Sequence, residues 1–188
     1  MLDAVLSGLG AGLEWSIGDA DRKIDDRMKT VFAELETGDK EMANRIELDI
    51  QHRRPFAEGV SFGAAGSYER LDGKARFAVD PNGSAQIGVV DLDKAPKNSD
   101  GLVEFEADIS IIKPVDPSKA NNRLLFDYGN RGNMRAIQFF NDAPASNDPI
   151  TAEHAGNGYL MRRGYVVANC AWQGDLWPGD GRMTMDLP

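Results

Sequence analysis

The sequence contains few of the residues that build disulfides, metal sites and membrane spans. It has one cysteine, Cys170, and two histidines, His52 and His154, among 188 residues. One thiol forms no internal disulfide, and neither histidine has a second metal ligand at zinc-site spacing. No apolar run approaches the roughly 18 residues of a transmembrane helix, and no glycine-rich phosphate loop with a lysine is present. We therefore expect no metal, no cofactor and no membrane span.

Positive charge and aromatic residues are also scarce. Lys and Arg number 21 against 30 Asp and Glu, which gives a net charge of −9, and aromatic residues make up 8%. This charge repels phosphate backbones and anionic bilayers, so we expect neither nucleic acid nor membrane as a partner. The first basic residue is Arg22, so the N-terminus does not resemble a secretory signal. Together with the lone cysteine, this predicts a cytoplasmic protein.

Residues 1–42 form a separate acidic segment, with ten acidic and five basic side chains. Asp19 is a candidate helix N-cap and Gly38 a candidate stop, and apolar residues recur between them at helical spacing: Ile24, Met28, Val31, Phe32 and Leu35. We predict a helical arm at 1–42 and a body at 43–188. The apolar stripe either packs on the body, which we favour, or binds a partner.

The next part of the chain has the period of two that is typical of half-buried strands. Alternation occurs at 46–50, at 75–79 and, over the longest stretch, at 103–111. Pro81, Asn82 and Gly83 provide a turn, so residues 87–90 are expected to return as the hairpin partner of 75–79. These segments predict antiparallel strands with one face towards the core.

The last third contains two continuous apolar runs, at 124–126 and 166–168. Such runs are typical of strands covered on both faces in a parallel sheet. Residues 151–163 between them can form a helix, which completes a βαβ crossover. The predicted fold class is therefore α/β, with antiparallel lead-in strands followed by a parallel βαβ unit.

Ligands of open α/β sheets bind beyond the carboxyl ends of the strands, which directs attention to two loops. The first run is followed by Gly129, Asn130, Arg131 and Gly132, and the second by Trp172, Gln173 and Asp175. We expect both loops to line one crevice. The alternatives are that the glycines serve only a turn and that Trp172 serves only packing.

Residues 59–63 match the G-x-S-x-G nucleophile elbow around Ser61, but we reject this assignment. The elbow needs a strand before the serine and a helix directly after it. Pro55 argues against a central strand, and the glycine-rich residues that follow are unsuited to the helix. Cys170 lies in an apolar run, where a thiol has a raised pKa and is inert. No catalytic residue is assigned.

Several segments nevertheless resemble a bacterial family of α/β-hydrolase-domain proteins whose substrates are poorly defined. The resemblance covers about residues 45–180 and leaves the acidic arm unmatched. It rests on these positions: Phe56, Gly59, 61–63, Gly66, Tyr68, Glu69, Leu71, Gly73, 77–81, 91–93, 130–132 and 158–167.

The resemblance implies the N-terminal portion of a serine hydrolase that acts on esters or related acyl compounds. Residues 129–132 would then contribute to the oxyanion hole. The family's nucleophile, acid and histidine come later than Pro188, so this chain alone is not expected to be active. The fifth strand normally covers the third, so 124–128 would form a bare edge that promotes self-association. The alternative is a non-catalytic binding module with a crevice between the Asn130 and Trp172 loops.

Overall fold

The computed structural model describes residues 44–177 and 179–188, so the predicted arm at 1–42 lies outside the described residues. In these described residues, six strands and two short α-helices are joined by turns of 3₁₀-helix. The strands are β1 (Arg45–Pro55), β2 (Tyr68–Val79), β3 (Val103–Pro114), β4 (Leu124–Asp127), β5 (Val166–Cys170) and β6 (Met185–Asp186). The helices are α1 (Ala136–Phe140) and α2 (Tyr159–Arg162). The described part of the chain contains no helix that is long and apolar enough to cross a membrane.

The strands form one mixed sheet in the order β1-β2-β3-β5-β4, and β6 pairs with β3. Strands β1, β2 and β3 are antiparallel, β5 is antiparallel to β3, and β4 is parallel to β5. The chain between β4 and β5 carries both α-helices. The described residues therefore form a mixed sheet of the α/β type, in which β1 to β3 are antiparallel and β4 and β5 are parallel.

The period-two pattern explains why β2 and β3 pair in the observed register. Phe77 lies opposite Phe105, and their rings stack with centroids 4.8 Å apart. On the other face Arg76 lies opposite Glu106 and Lys74 opposite Asp108, where they form ion pairs. A shift of one residue would exchange the two faces, so this alternation determines the register.

Two hydrophobic clusters form the core. One joins the beginning of β2 to the crossover helices, and it includes Phe56, Phe62, Tyr68, Ile112, Met161 and Val167. The other includes Phe77, Val103, Phe105, Cys170, Met183 and Met185. The fully buried Tyr68 hydroxyl lies 3.0 Å from the Met161 carbonyl and 3.1 Å from that of Tyr165. These contacts hold α2 and the start of β5 against β2.

The predicted hairpin return at 87–90 is wrong. These residues form turns after a 3₁₀ turn at Ser84–Gln86, and Ile87 and Val90 are 85% and 87% exposed. Strands β1 and β3 already occupy both edges of β2, so no edge remains for a local partner.

The predicted helix at 151–163 is also too long. The structure has a 3₁₀ turn at Glu153–Ala155 and the single helical turn α2. Gly156 and Gly158 separate them with φ angles of 55° and 66°, which lie outside the right-handed helical region. The sequence analysis did not predict α1.

Strand β4 departs from the prediction that both apolar runs are covered on both faces. Leu124 is 52% exposed, whereas Val167 in β5 is fully buried. The difference follows from position, because β4 is the outer strand of the sheet order and pairs with β5 alone among the described strands.

Candidate functional site

The two predicted loops meet beyond the carboxyl ends of β4 and β5. The parallel register places Asp127 beside Asn169 at these ends. Trp172 donates its Nε1 proton to the Gly129 carbonyl over 2.9 Å. The Arg131 amide donates to Gln173 Oε1 over 2.8 Å, and the Arg131 guanidinium lies 3.1 Å from Asp175. Residues 129–132 therefore contact Trp172, Gln173 and Asp175.

A small crevice lies between these loops, with room for about one water molecule. Residues 127–129, Gly132 and Asn133 line one side, residues 169–172 line the other, and Met183 completes the lining. The crevice is therefore far smaller than the pockets of about 300–1,000 Å³ that hold drug-sized ligands.

Asp127 organises the first loop rather than facing a ligand with a free carboxylate. Its Oδ1 accepts from the Gly129 amide over 2.8 Å, and its Oδ2 accepts from the amides of Arg135 and Ala136 over 2.8 Å each. These three bonds connect the end of β4, the glycine turn and the start of α1. A carboxylate with three amide donors is well satisfied, so we assign Asp127 an orienting role.

Close packing requires glycine at both ends of the 129–132 loop. Gly129 has a φ of 45°, and a Cβ there would lie 2.5 Å from the Asn133 carbonyl oxygen. Gly132 has a φ of 76°, and a Cβ would lie 2.6 Å from the Met183 carbonyl oxygen. The steric alternative from the sequence analysis is therefore sufficient to explain both glycines.

Two of the four backbone amides of this loop have hydrogen-bond acceptors in the described structure. The Gly129 amide binds Asp127, and the Arg131 amide binds Gln173. The Asn130 carbonyl accepts from the Asn133 amide over 3.2 Å. Within residues 44–177 and 179–188, neither the Asn130 amide nor the Gly132 amide forms a hydrogen bond to another group. Asn130 and Gly132 are therefore the two loop residues whose amides have no acceptor in the described structure.

Asn169 is a site residue that the sequence analysis missed. It is 2% exposed and lines the crevice. Its Nδ2 donates to the Ser110 carbonyl over 3.4 Å, whereas its Oδ1 has no hydrogen-bond partner in the described structure. The available signal was a polar residue that interrupts the apolar run 166–171 at the carboxyl end of a predicted strand.

A buried charge network, also missed from the sequence, lies beside Ser110. The side chain of Arg70 is 5% exposed and donates to Asp72 over 2.7 Å, to Asp148 over 2.7 Å and to Ser110 Oγ over 3.0 Å. Arg54 donates to both carboxylates over 2.9 Å. Because Asp148 precedes the crossover turn, this network attaches the loop before α2 to the sheet.

The remaining candidates have structural explanations. Ser61 is exposed in an isolated bridge with Ser67, between 3₁₀ turns at Ala57–Gly59 and Gly63–Ala65, so the strand and helix of an elbow do not flank it. His154 Nδ1 accepts from the amides of Ile150 and Thr151. No cluster of three or more His, Cys, Asp or Glu side chains in the described residues is arranged to hold a metal ion.

Cys170 lines the same crevice and is 7% exposed. Burial, with a smaller contribution from the negative charge of Asp108, raises the pKa of its thiol to about 11. The thiol is therefore protonated near neutral pH, as expected from its position in an apolar strand.

Comparisons of the chain with protein-family models, with curated proteins and with solved structures find no match.

Proposed function

We propose that residues 43–188 are the N-terminal portion of a bacterial, cytoplasmic α/β-fold serine hydrolase that acts on esters or related acyl compounds. The observation that carries this proposal is the position of the 129–132 loop. It follows a parallel strand and contacts the loop that follows the neighbouring strand. This is the location at which open α/β sheets bind their ligands.

The strand order supports the same proposal. Strand β5 lies between β3 and β4, and β4 occupies the edge. The α/β-hydrolase resemblance implies that the next strand of the complete sheet covers this edge. In the proposal β4 therefore corresponds to the third hydrolase strand and β5 to the fourth.

The proposed chemistry is stabilisation of the tetrahedral oxyanion of acyl transfer. The amides of Asn130 and Gly132 are the loop's candidate donors, and the second donor comes from the residue after the nucleophile. Removing one such donor typically slows an enzyme about 100- to 1,000-fold. The nucleophile, acid and histidine come from sequence after Pro188 in this proposal, so residues 1–188 alone hydrolyse no ester.

The first test is to determine the reading frame downstream of the Pro188 codon. The proposal expects an elbow serine, an acid and a histidine there, and a fluorophosphonate probe should label the longer protein. Changing the elbow serine to alanine should abolish the label, whereas Ser61→Ala should not change it. A longer frame without an elbow, or labelling that depends on Ser61, would contradict the proposal.

A non-catalytic binding module is the second candidate, and Asn169 supports it. The crevice between the Asn130 and Trp172 loops is lined by residues of these loops and strand ends, and among them Asn169 has a buried oxygen without a partner in the described structure. A frame that stops at Pro188, together with ligand binding by the 188-residue chain, would favour this candidate over the hydrolase.

We also propose self-association through the edge of β4. Leu124 on this outer strand is 52% exposed, Tyr128 directly after it is 54% exposed, and a bare apolar edge is a template for another strand. Light scattering after size exclusion should detect oligomers of the wild type and fewer of Leu124→Lys. A monodisperse wild-type monomer would refute this proposal.

A further inference from the structure

The apolar face of the sheet continues onto the outer strand β1, where it is only half covered. Ile46 lies opposite Phe77 of β2, and Ile46 and Leu48 both pack against the core cluster around Phe77. Alternate residues of a strand share a face, so Ile50 belongs to the same row. Ile46 and Leu48 are half-buried, and Ile50 is 38% exposed. The sheet therefore ends in a row of apolar side chains that is open on one side.

The loop between β2 and β3 adds apolar side chains to this surface. Val89 packs against the same core cluster as Ile46 and Leu48, whereas Ile87 and Val90 on either side of it are almost fully exposed. Exposed apolar surface of this kind marks an interaction site when it is contiguous. We use the name β1 patch for five residues: Ile46, Leu48, Ile50, Ile87 and Val90.

Two contacts hold this loop beside the start of β1. At the beginning of the loop the Asp80 amide donates to Asn44 Oδ1 over 2.9 Å, and near its end Asp100 lies 3.3 Å from the Arg45 guanidinium. Residues 1–43 lie outside the described residues and join the body at Asn44. The N-terminal segment therefore enters the body at the margin of the β1 patch.

The N-terminal segment carries a matching row of apolar residues. The predicted helix at 19–36 has five of them on one side: Ile24, Met28, Val31, Phe32 and Leu35. Residues 36–43 span at most roughly 25–30 Å when extended. This tether is long enough for the stripe to lie along the row at 46–50, and short enough to keep it near that row.

Apolar burial, rather than charge, has to supply the attraction. Residues 1–42 contain ten acidic and five basic side chains, and the remainder of the chain contains twenty and sixteen. Both parts are acidic, so their net charges repel each other. A short tether raises the effective concentration of the stripe to the millimolar range. At micromolar protein this favours the segment of the same chain over a second copy.

We propose that the β1 patch is the docking surface for the apolar stripe of residues 19–36 of the same chain. The predicted helix covers the open side of β1 and the exposed side chains of Ile87 and Val90. Helices of this length are marginal in water on their own, so the docked surface is what stabilises it.

Hydrogen exchange measured by mass spectrometry on the 188-residue chain tests the docking. We expect the amides of residues 24–35 to exchange at least tenfold more slowly than an unstructured segment of the same sequence. Ile87→Asp combined with Val90→Asp should abolish this protection. Both side chains are exposed, so the sheet should stay folded, which circular dichroism checks. Unprotected exchange at 24–35 in the wild type, or protection that survives the double substitution, would overturn the proposal.

Val115→Asp is the matched control for the double substitution. Val115 is also an exposed valine, but it follows the end of β3, at the opposite end of the sheet from Asn44. This variant should leave the protection of residues 24–35 unchanged. If it abolishes the protection as well, the effect does not depend on the β1 patch and the proposal is wrong.

A cysteine at position 90 reports on the patch itself. Cysteine is a small apolar residue, so Val90→Cys preserves the surface, and the native Cys170 is buried. A maleimide should label Val90→Cys at least tenfold more slowly than Val90→Cys with Phe32→Asp. Thr30→Asp is the control, because positions 30 and 32 are about 200° apart on a helix. Equal labelling with and without Phe32→Asp, or fast labelling with Thr30→Asp, would overturn the assignment of the stripe.

Dilution identifies the occupant of the patch. Docking within one chain should give the same slow labelling of Val90→Cys after a hundredfold dilution of the protein. Protection that disappears on dilution, together with a dimer in size exclusion, would assign the patch to the stripe of a second copy and refute docking within the chain. Fast labelling at every concentration would leave the patch open to a separate partner and would also refute it.

Discussion

Replacement of Arg70 by methionine should destabilise the protein strongly, because it removes the centre of a buried charge network. The Arg70 side chain is 5% exposed and that of Asp72 is 16% exposed. Removing one partner of a buried ion pair typically costs about 3–5 kcal/mol. Asp72 keeps its bond to Arg54, so we expect a loss near the lower limit, about 3 kcal/mol. At about 2–4 °C per kcal/mol for a chain of this size, the Tm should fall by about 6–12 °C.

Urea and thermal unfolding followed by circular dichroism measure this loss. Two control variants test whether the loss of stability depends on the burial of the ion pair or occurs when any ion pair is removed. Asp148→Asn should cost less than about 1 kcal/mol, because that side chain is 55% exposed. Arg45→Met should cost less than about 0.5 kcal/mol, since Arg45 and Asp100 are 61% and 60% exposed. If Arg70→Met costs no more than Arg45→Met, the reasoning from burial is wrong.

Three further predictions follow from individual side chains. Burial tends to raise the pKa of Asp72, but hydrogen bonds from Arg54 and Ser110 hold this pKa below its ordinary value. The stabilisation of the folded state by the ionised Asp72 carboxylate is therefore present above about pH 4 and is lost on further acidification. Urea unfolding between pH 7 and 3 should show a weaker acid dependence for Asp72→Asn, and an unchanged dependence would contradict this. Tyr68→Phe should cost about 1 kcal/mol in the same assay, because the Tyr68 hydroxyl loses its carbonyl partners; a neutral effect would argue against those bonds. Cys170 has a pKa of about 11 and is buried, so an aromatic disulfide reagent at pH 8 should label the unfolded chain and not the native one; fast native labelling would refute this.

The alternating segments predicted their strands correctly because the period of two survives into the folded state. Residues 75–79 and 103–111 place Phe77, Phe105 and their neighbours on one face, and β2 and β3 pair in that register. The parallel pairing of 124–126 with 166–168 was also predictable, because the intervening segment is long enough for a crossover.

The errors occurred where the outcome depends on distant parts of the chain. The turn at 81–83 is a local signal, but occupation of both β2 edges by β1 and β3 excludes residues 87–90 from the sheet. The exposure of Leu124 reflects the position of β4 at the edge, which composition does not encode. Within 151–163 the two glycines weaken the helix more than its apolar residues support it.

The sequence was sufficient to predict which two loops form the candidate site, but not which atoms in and around it form hydrogen bonds or ion pairs with each other. The strand-end rule located residues 129–132 and Trp172 from the order of elements alone. The unpaired oxygen of Asn169 depends on which atoms fold around it, so its sequence neighbours carry little information about it. Arg70 likewise appeared as one charge among many, since its partner Asp148 lies 78 positions away.

Strand β3 has two partner strands along the same edge. Because both partners are late in the sequence, we expect this edge to be exposed in the nascent chain during translation. Residues 109–112 of β3 pair with β5, whereas Glu106 and Ala107 pair with β6. Strands β1 to β3 emerge first, so this edge stays bare until the whole crossover has been translated. During that interval another nascent chain or a chaperone can pair with it. The rate of translation across residues 115–165 should therefore influence soluble yield, even when the codon changes responsible are synonymous and leave every native contact intact.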